Sequence, residues 1–91
     1  MDYLYLMHNI KQLNQTVILD HVEFLKWLKL ENRLILCGPF SDYPGGIVVF
    51  HALDKDEAKN IVEKDPYIKY GYKSYELHTI ELANEENNYL I

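Results

Sequence analysis

His21 is the residue best placed to do chemistry. It sits in Asp20-His-Val-Glu-Phe-Leu25, where apolar residues recur at helical spacing. On a wheel of roughly 100° per residue, Ile18, Val22, Phe24, Leu25 and Leu28 form one arc, with His21 inside it beside Leu25 and Leu28. The imidazole therefore points inward. Left without a hydrogen-bond partner there it would cost about 1–3 kcal/mol, so a side chain or a backbone carbonyl must meet it. An imidazole held by a carboxylate has its tautomer fixed and its conjugate acid stabilised, which suits it to take a proton from carbon or oxygen. Asp65 is a carboxylate at a helix stop, because Pro66 disfavours helical geometry at the residue before it. That position alone gives Asp65 a turn role and no chemistry.

The other reactive side chains read as structural. Cys37 ends an apolar run and is expected to be a buried strand residue. His8, His51 and His78 all fall on expected strands and would hold a metal only if they converged; no His-x-His or His-x₃-His pair seeds a site, so no metal and no cofactor are expected. Trp27 lies opposite the arc, as an exposed aromatic or an interface contact. Among the eight tyrosines, Tyr3 and Tyr5 share one strand face, expected to be core or dimer packing, with a pocket for a flat ligand as the other use.

The bulk composition narrows the setting. A chain of 91 residues needs most of its length for one core, so a single domain spanning 1–91 is expected, with a polar tail from about residue 84. With 48% hydrophobic and 25% charged residues it is expected to fold. No apolar run approaches the roughly 20 residues that cross a bilayer, and the N-terminus does not read as a secretion signal. A cytoplasmic protein with no membrane partner is expected. The net charge is −5, with the nine basic residues spread among acids, so no strip can neutralise a phosphate backbone and nucleic acid is not an expected partner.

These residues must be positioned by short elements. Tyr3 to Met7 reads as a strand. Asn14 or Thr16 can cap a helix that ends near Asn32. Arg33 to Cys37, stopped by Gly38-Pro39, and Ile47 to Ala52, after the turn-forming Ser41 to Gly46, make a hairpin. Asp54-Lys-Asp-Glu57 has the form of a capping box opening a second helix, with Ala58, Ile61 and Val62 as its apolar stripe and Pro66 as its stop. A last strand runs from about Lys73 to Leu82.

The order β-α-β-β-α-β is the ferredoxin-like α+β arrangement, one antiparallel sheet with both helices on one face. The strands are apolar at consecutive positions, as in Tyr3-Leu-Tyr-Leu6 and Leu34-Ile-Leu36, whereas a sheet with one wet face should alternate. A second copy, sheet against sheet in an isologous homodimer, is the simplest cover.

With His21 on the first helix, Gly38-Pro39 after the second strand and Asp65-Pro66 after the second helix, in that order, the chain resembles the YCII-related (YciI-like) family. The resemblance spans nearly the whole chain. It implies a ferredoxin-like domain that dimerises through its sheet as a dimeric α+β barrel, with His21 and Asp65 as a catalytic pair. It further implies cofactor-independent lyase or isomerase chemistry on a small, often ring-shaped metabolite. In that mechanism His21 is the general base, Asp65 holds its ring, and Tyr67, Ser41 or the Gly38 amide binds the developing enolate. The alternative is a non-catalytic module of the same fold that binds or senses a small ligand.

Overall fold

The computed structural model describes residues 1–90. The chain runs β1 (Asp2–Asn9), α1 (Gln15–Leu30), β2 (Leu34–Pro39), β3 (Gly46–His51), α2 (Lys55–Val62), α3 (Pro66–Lys69) and β4 (Lys73–Ile80). The strands form one antiparallel sheet in the order β2-β3-β1-β4. This is the ferredoxin-like topology, with the first and third strands central and the hairpin partner β2 at one edge.

Pleating divides the sheet. Tyr3, Tyr5 and Met7 of β1 lie opposite Phe50, Val48 and Gly46 of β3, and opposite Thr79, Leu77 and Tyr75 of β4. Most of this set joins the core with Val17, Phe24 and Leu28 of α1 and Ala58, Ile61 and Val62 of α2. The alternate residues, Leu4 and Leu6 with Ile47, Val49 and Leu36, occupy the face that the helices leave open. Their apolar character explains why the strands show no alternation.

Local signals set the helix ends. Asn14 caps α1, accepting from the Val17 N–H at 2.8 Å. Asn32, at φ 57°, ends it in the left-handed conformation that asparagine tolerates. Asp54 caps α2 through the Glu57 N–H at 2.8 Å, while the Glu57 carboxylate reaches back to the Leu53 N–H, one residue earlier than a reciprocal capping box places it. Gly45, at φ 105°, turns the chain from β2 into β3 where a Cβ would come within 2.2 Å of the Met7 carbonyl oxygen.

Two expectations about the helices need correction. The buried stripe of α1 is Val17, His21, Phe24 and Leu28, whereas Ile18 and Val22 are each 38% exposed and Leu25 is half-buried. The helix has two apolar flanks, one against the sheet and one lining an open cavity, and hydrophobic periodicity merges them. The roll brings Trp27 partly into the core beside Phe24, its ring 5.9 Å away, with the Lys64 ammonium over it at 5.4 Å. Pro66, for its part, opens a helix: α2 ends at Val62, and Pro66 is the first residue of the one-turn α3.

Candidate functional site

Asp65 is fully buried and is the N-cap of α3. Its carboxylate gathers three neighbours. Oδ1 accepts from the Tyr67 N–H at 3.0 Å and meets His21 Nδ1 at 2.7 Å, and Oδ2 accepts from the Tyr5 hydroxyl at 2.8 Å. α1, the α2–α3 turn and the central strand thus meet at one side chain. The proline that keeps Asp65 out of helical geometry is also what makes it a cap, with its oxygens turned back into the fold.

The hydrogen bonds assign the imidazole tautomer. A carboxylate only accepts, so Nδ1 carries the proton donated to Oδ1, and in the neutral ring Nε2 is the nitrogen that holds the lone pair. Nε2 has no partner among the described residues. No buried side-chain nitrogen or oxygen among them lacks one, so Nε2 must reach accessible space, and His21 lines a cavity. Tyr67 stacks on the imidazole, ring centres 3.8 Å apart and planes 10° from parallel.

The cavity has a volume of about 480 Å³, within the range of small-molecule sites. One wall is the outer flank of α1, Ile18, Val22 and Leu25; the other is the end of β2 and β3 that α1 does not cover. The polar or ionisable side chains among the lining residues are His21, Tyr67, Lys73 and Cys37. Burial, with the Asp65 charge adding to it, pushes the Tyr67 hydroxyl above the ordinary tyrosine value. The same two causes, in the same order, push Tyr5 well above it. Burial holds the Lys73 ammonium below the ordinary lysine value, partly opposed by Asp65.

His21, Asp65, Tyr67 and Gly38 are brought to one place, Asp65 behind the imidazole and the other three on the cavity wall. Ser41 is exposed in the β2–β3 connection and does not line the cavity. Cys37, expected to be buried, is exposed on the cavity wall because β2 is an edge strand extending past the cover of α1. Tyr5 and Lys73 are site residues that sequence reasoning missed. For Tyr5 the signal was a hydroxyl in an apolar strand, which needs a buried partner. For Lys73 it was a cation opening a strand whose alternate positions, Tyr75 and Leu77, face the core.

His8, His51 and His78 do not converge. His8 and His78 each reach Glu76 on the open face of the sheet, at 2.5 and 3.4 Å, and His51 pairs with Asp2 at 3.1 Å. No helix of the described residues is long and apolar enough to cross a membrane.

Among known proteins, the chain is 41% identical over 69 residues to the uncharacterized protein YjpA of Bacillus subtilis (strain 168), covering 76% of this chain and 81% of that one. Two solved structures share its fold. The 5-chloro-2-hydroxyhydroquinone dehydrochlorinase TftG of Burkholderia phenoliruptrix AC1100, in complex with 2,5-dihydroxybenzoquinone, superposes with a TM-score of 0.71 at 22% identity, covering 89% of this chain and 94% of that one. A muconolactone isomerase gives a TM-score of 0.72 at 13% identity, covering 88% of each chain. The family model for the YCII-related domain matches residues 1–81, and the chain belongs to the YCII-related family.

Proposed function

We propose that this protein is a cofactor-independent small-molecule enzyme, a lyase or isomerase in which His21 Nε2 is the general base. The observation that carries the reading is the asymmetry of the imidazole. Nδ1 is tied to a fully buried carboxylate, and Nε2, on a residue of the cavity wall, has no partner among the described residues. A ring-shaped substrate lying between the α1 flank and the end of β3 would bring an acidic C–H or O–H to that nitrogen. As Nε2 takes the proton, Asp65 holds the ring in place and faces the charge that forms on it. The hydroxyl of Tyr67, a residue of the cavity wall, is the candidate donor to the oxygen on which negative charge develops, and the backbone at Gly38 is the second. The names of the two structural neighbours, one a dehydrochlorinase bound to a quinone and one a lactone isomerase, favour this class of chemistry on small rings.

The same reading includes a cytoplasmic homodimer formed through the open face of the sheet, where Leu4, Leu6, Leu36 and Ile47 are only half-buried or exposed.

The test is proton exchange. The protein in D₂O is incubated with muconolactone and with 5-chloro-2-hydroxyhydroquinone, and deuterium uptake or chloride release is followed by NMR and ion chromatography. The wild type should accelerate one of these reactions, and His21→Gln should lose about 10²–10⁴ of the acceleration while melting within a few degrees of the wild type. Equal rates in a folded His21→Gln would rule out His21 as the base.

A further inference from the structure

Lys73 opens β4 on the face that carries the helices, in register with Asn9. Its ammonium stands 4.9 Å from the centre of the Tyr67 ring, the ring whose stacking partner is His21. Lys73 is half-buried and has no carboxylate within salt-bridge distance among the described residues. Burial works against its charge, and the buried Asp65 carboxylate supports it without forming a salt bridge to it. Lys73 also lines the shallower groove that adjoins the cavity, together with Lys11, whose ammonium lies 4.3 Å from the Tyr72 ring. No Asp or Glu lines either space. In a chain of net charge −5, a mouth with two lysines and no acid is a local reversal of sign.

Two further polar atoms on residues of the cavity wall lack partners among the described residues, His21 Nε2 and the Tyr67 hydroxyl, the residues being 8% and 7% exposed. The ammonium is no farther from the imidazole centre than the Lys73–Tyr67 and Tyr67–His21 distances laid end to end.

We infer that Lys73 sets the substrate class: a small ring carrying an anionic oxygen, a carboxylate or an ionised hydroxyl, which the ammonium holds at the mouth while the opposite edge of the ring meets His21 Nε2. The inference deepens the proposed function and rests on it for the role of His21. The anion supplies the counter-charge that the half-buried cation lacks among the described residues, and the low dielectric of the apolar walls strengthens that pairing. It also fixes orientation, because a ring bound by its anionic end presents only its far edge to the base.

The experiment reads binding, not turnover, so its outcome is independent of whether His21 acts as a base. Two probe pairs matched in shape and different in charge are titrated by ligand-observed NMR at pH 8: benzoate against benzamide, and 4-nitrophenolate against 4-nitroanisole. The wild type should bind the anion of at least one pair about tenfold more tightly than its neutral partner. The pair that shows the preference tells a carboxylate from an ionised hydroxyl. Lys73→Met should bring that ratio to about one with neutral binding unchanged, and Lys73→Arg should keep most of it. A preference that survives in Lys73→Met, or no preference in either pair, overturns the inference, as does failure of all four probes to bind at about 10 mM.

Discussion

Tyr67 lies flat on His21, with ring centres 3.8 Å apart and planes 10° from parallel. The stack sets the plane of the imidazole, and the bond from Nδ1 to Asp65 sets which edge faces inward. Together they leave Nε2 a single direction, into the cavity. Tyr67→Phe keeps the ring and removes only the hydroxyl, which hydrogen-bonds to nothing among the described residues. Its melting temperature should match the wild type within a few degrees. If that hydroxyl binds the developing oxyanion, the rate of the His21-dependent reaction should fall by about 10²–10³, the usual cost of one such donor. A Tyr67→Phe protein with undiminished rate removes the hydroxyl from the mechanism and leaves only the stack.

Tyr5 links the central strand to the same carboxylate, and its effect is separable by pH. Burial first, and the Asp65 charge second, hold its hydroxyl well above the ordinary tyrosine value. A tyrosine whose folded pKa is raised contributes stability that is intact below the unfolded value, about 10, and is lost as pH climbs from there toward the folded value. Wild-type stability should therefore be flat in this respect at neutral pH and fall above about pH 10. Tyr67 and Tyr75 are also raised and contribute to the same slope. Tyr5→Phe should lower stability at pH 7 by about 1–3 kcal/mol, because Asp65 loses a buried donor, and should shallow the alkaline fall by about one proton. Urea titrations at pH 7, 9, 10 and 11 measure both; parallel curves for the two proteins above pH 10 would sink the assignment.

Asp65 caps α3 and accepts hydrogen bonds from Tyr5 and His21, and two substitutions divide these roles. Asp65→Asn retains an oxygen for the cap and for the imidazole but turns an amide N–H₂ toward the Tyr5 hydroxyl. Asp65→Ala removes the cap, about 1 kcal/mol, and strands two buried donors at about 1–3 kcal/mol each. The alanine variant should be the less stable of the pair by at least about 2 kcal/mol in urea unfolding at pH 7. Equal losses would mean that the amide is as badly accommodated as a void, and that charge, not hydrogen-bond capacity, is what the site requires.

The legible part of this molecule was the part encoded by local rules. The caps at Asn14 and Asp54, the hairpin turn and the runs of strand formers gave the element order, and the order gave the sheet. His21 was visible because an imidazole inside an apolar arc is a local anomaly. The roll of α1 was not legible, since Ile18 and Val22 on a cavity wall have the same apolar signature as Val17 and Phe24 in a core. Cys37 was misplaced for a related reason: burial of an edge strand depends on how far a helix from elsewhere in the chain extends across it. The contact between His21 and Asp65 spans 44 residues and depends on a one-turn helix too short for any periodicity, so only the family resemblance suggested it.

The open face of the sheet yields the last prediction. Leu4 and Leu6 of the central β1 stand beside Ile47 and Val49 on β3, and beside Glu76 and His78 on β4. Leu36, at 51% exposure, extends the patch to the edge strand. In a two-fold pair each copy presents this same patch, so one substitution acts twice. Leu6→Lys places an ammonium opposite Glu76, where a monomer can pair and solvate it, whereas a face-to-face dimer must bury two such charges. Light scattering at micromolar concentration should give twice the chain mass for the wild type and the single-chain mass for Leu6→Lys. Leu6 does not line the cavity, so the variant should bind the ring probes as before. A monomeric wild type would refute the dimer and leave the apolar open face without a cover. A dimeric Leu6→Lys would place the interface on another surface.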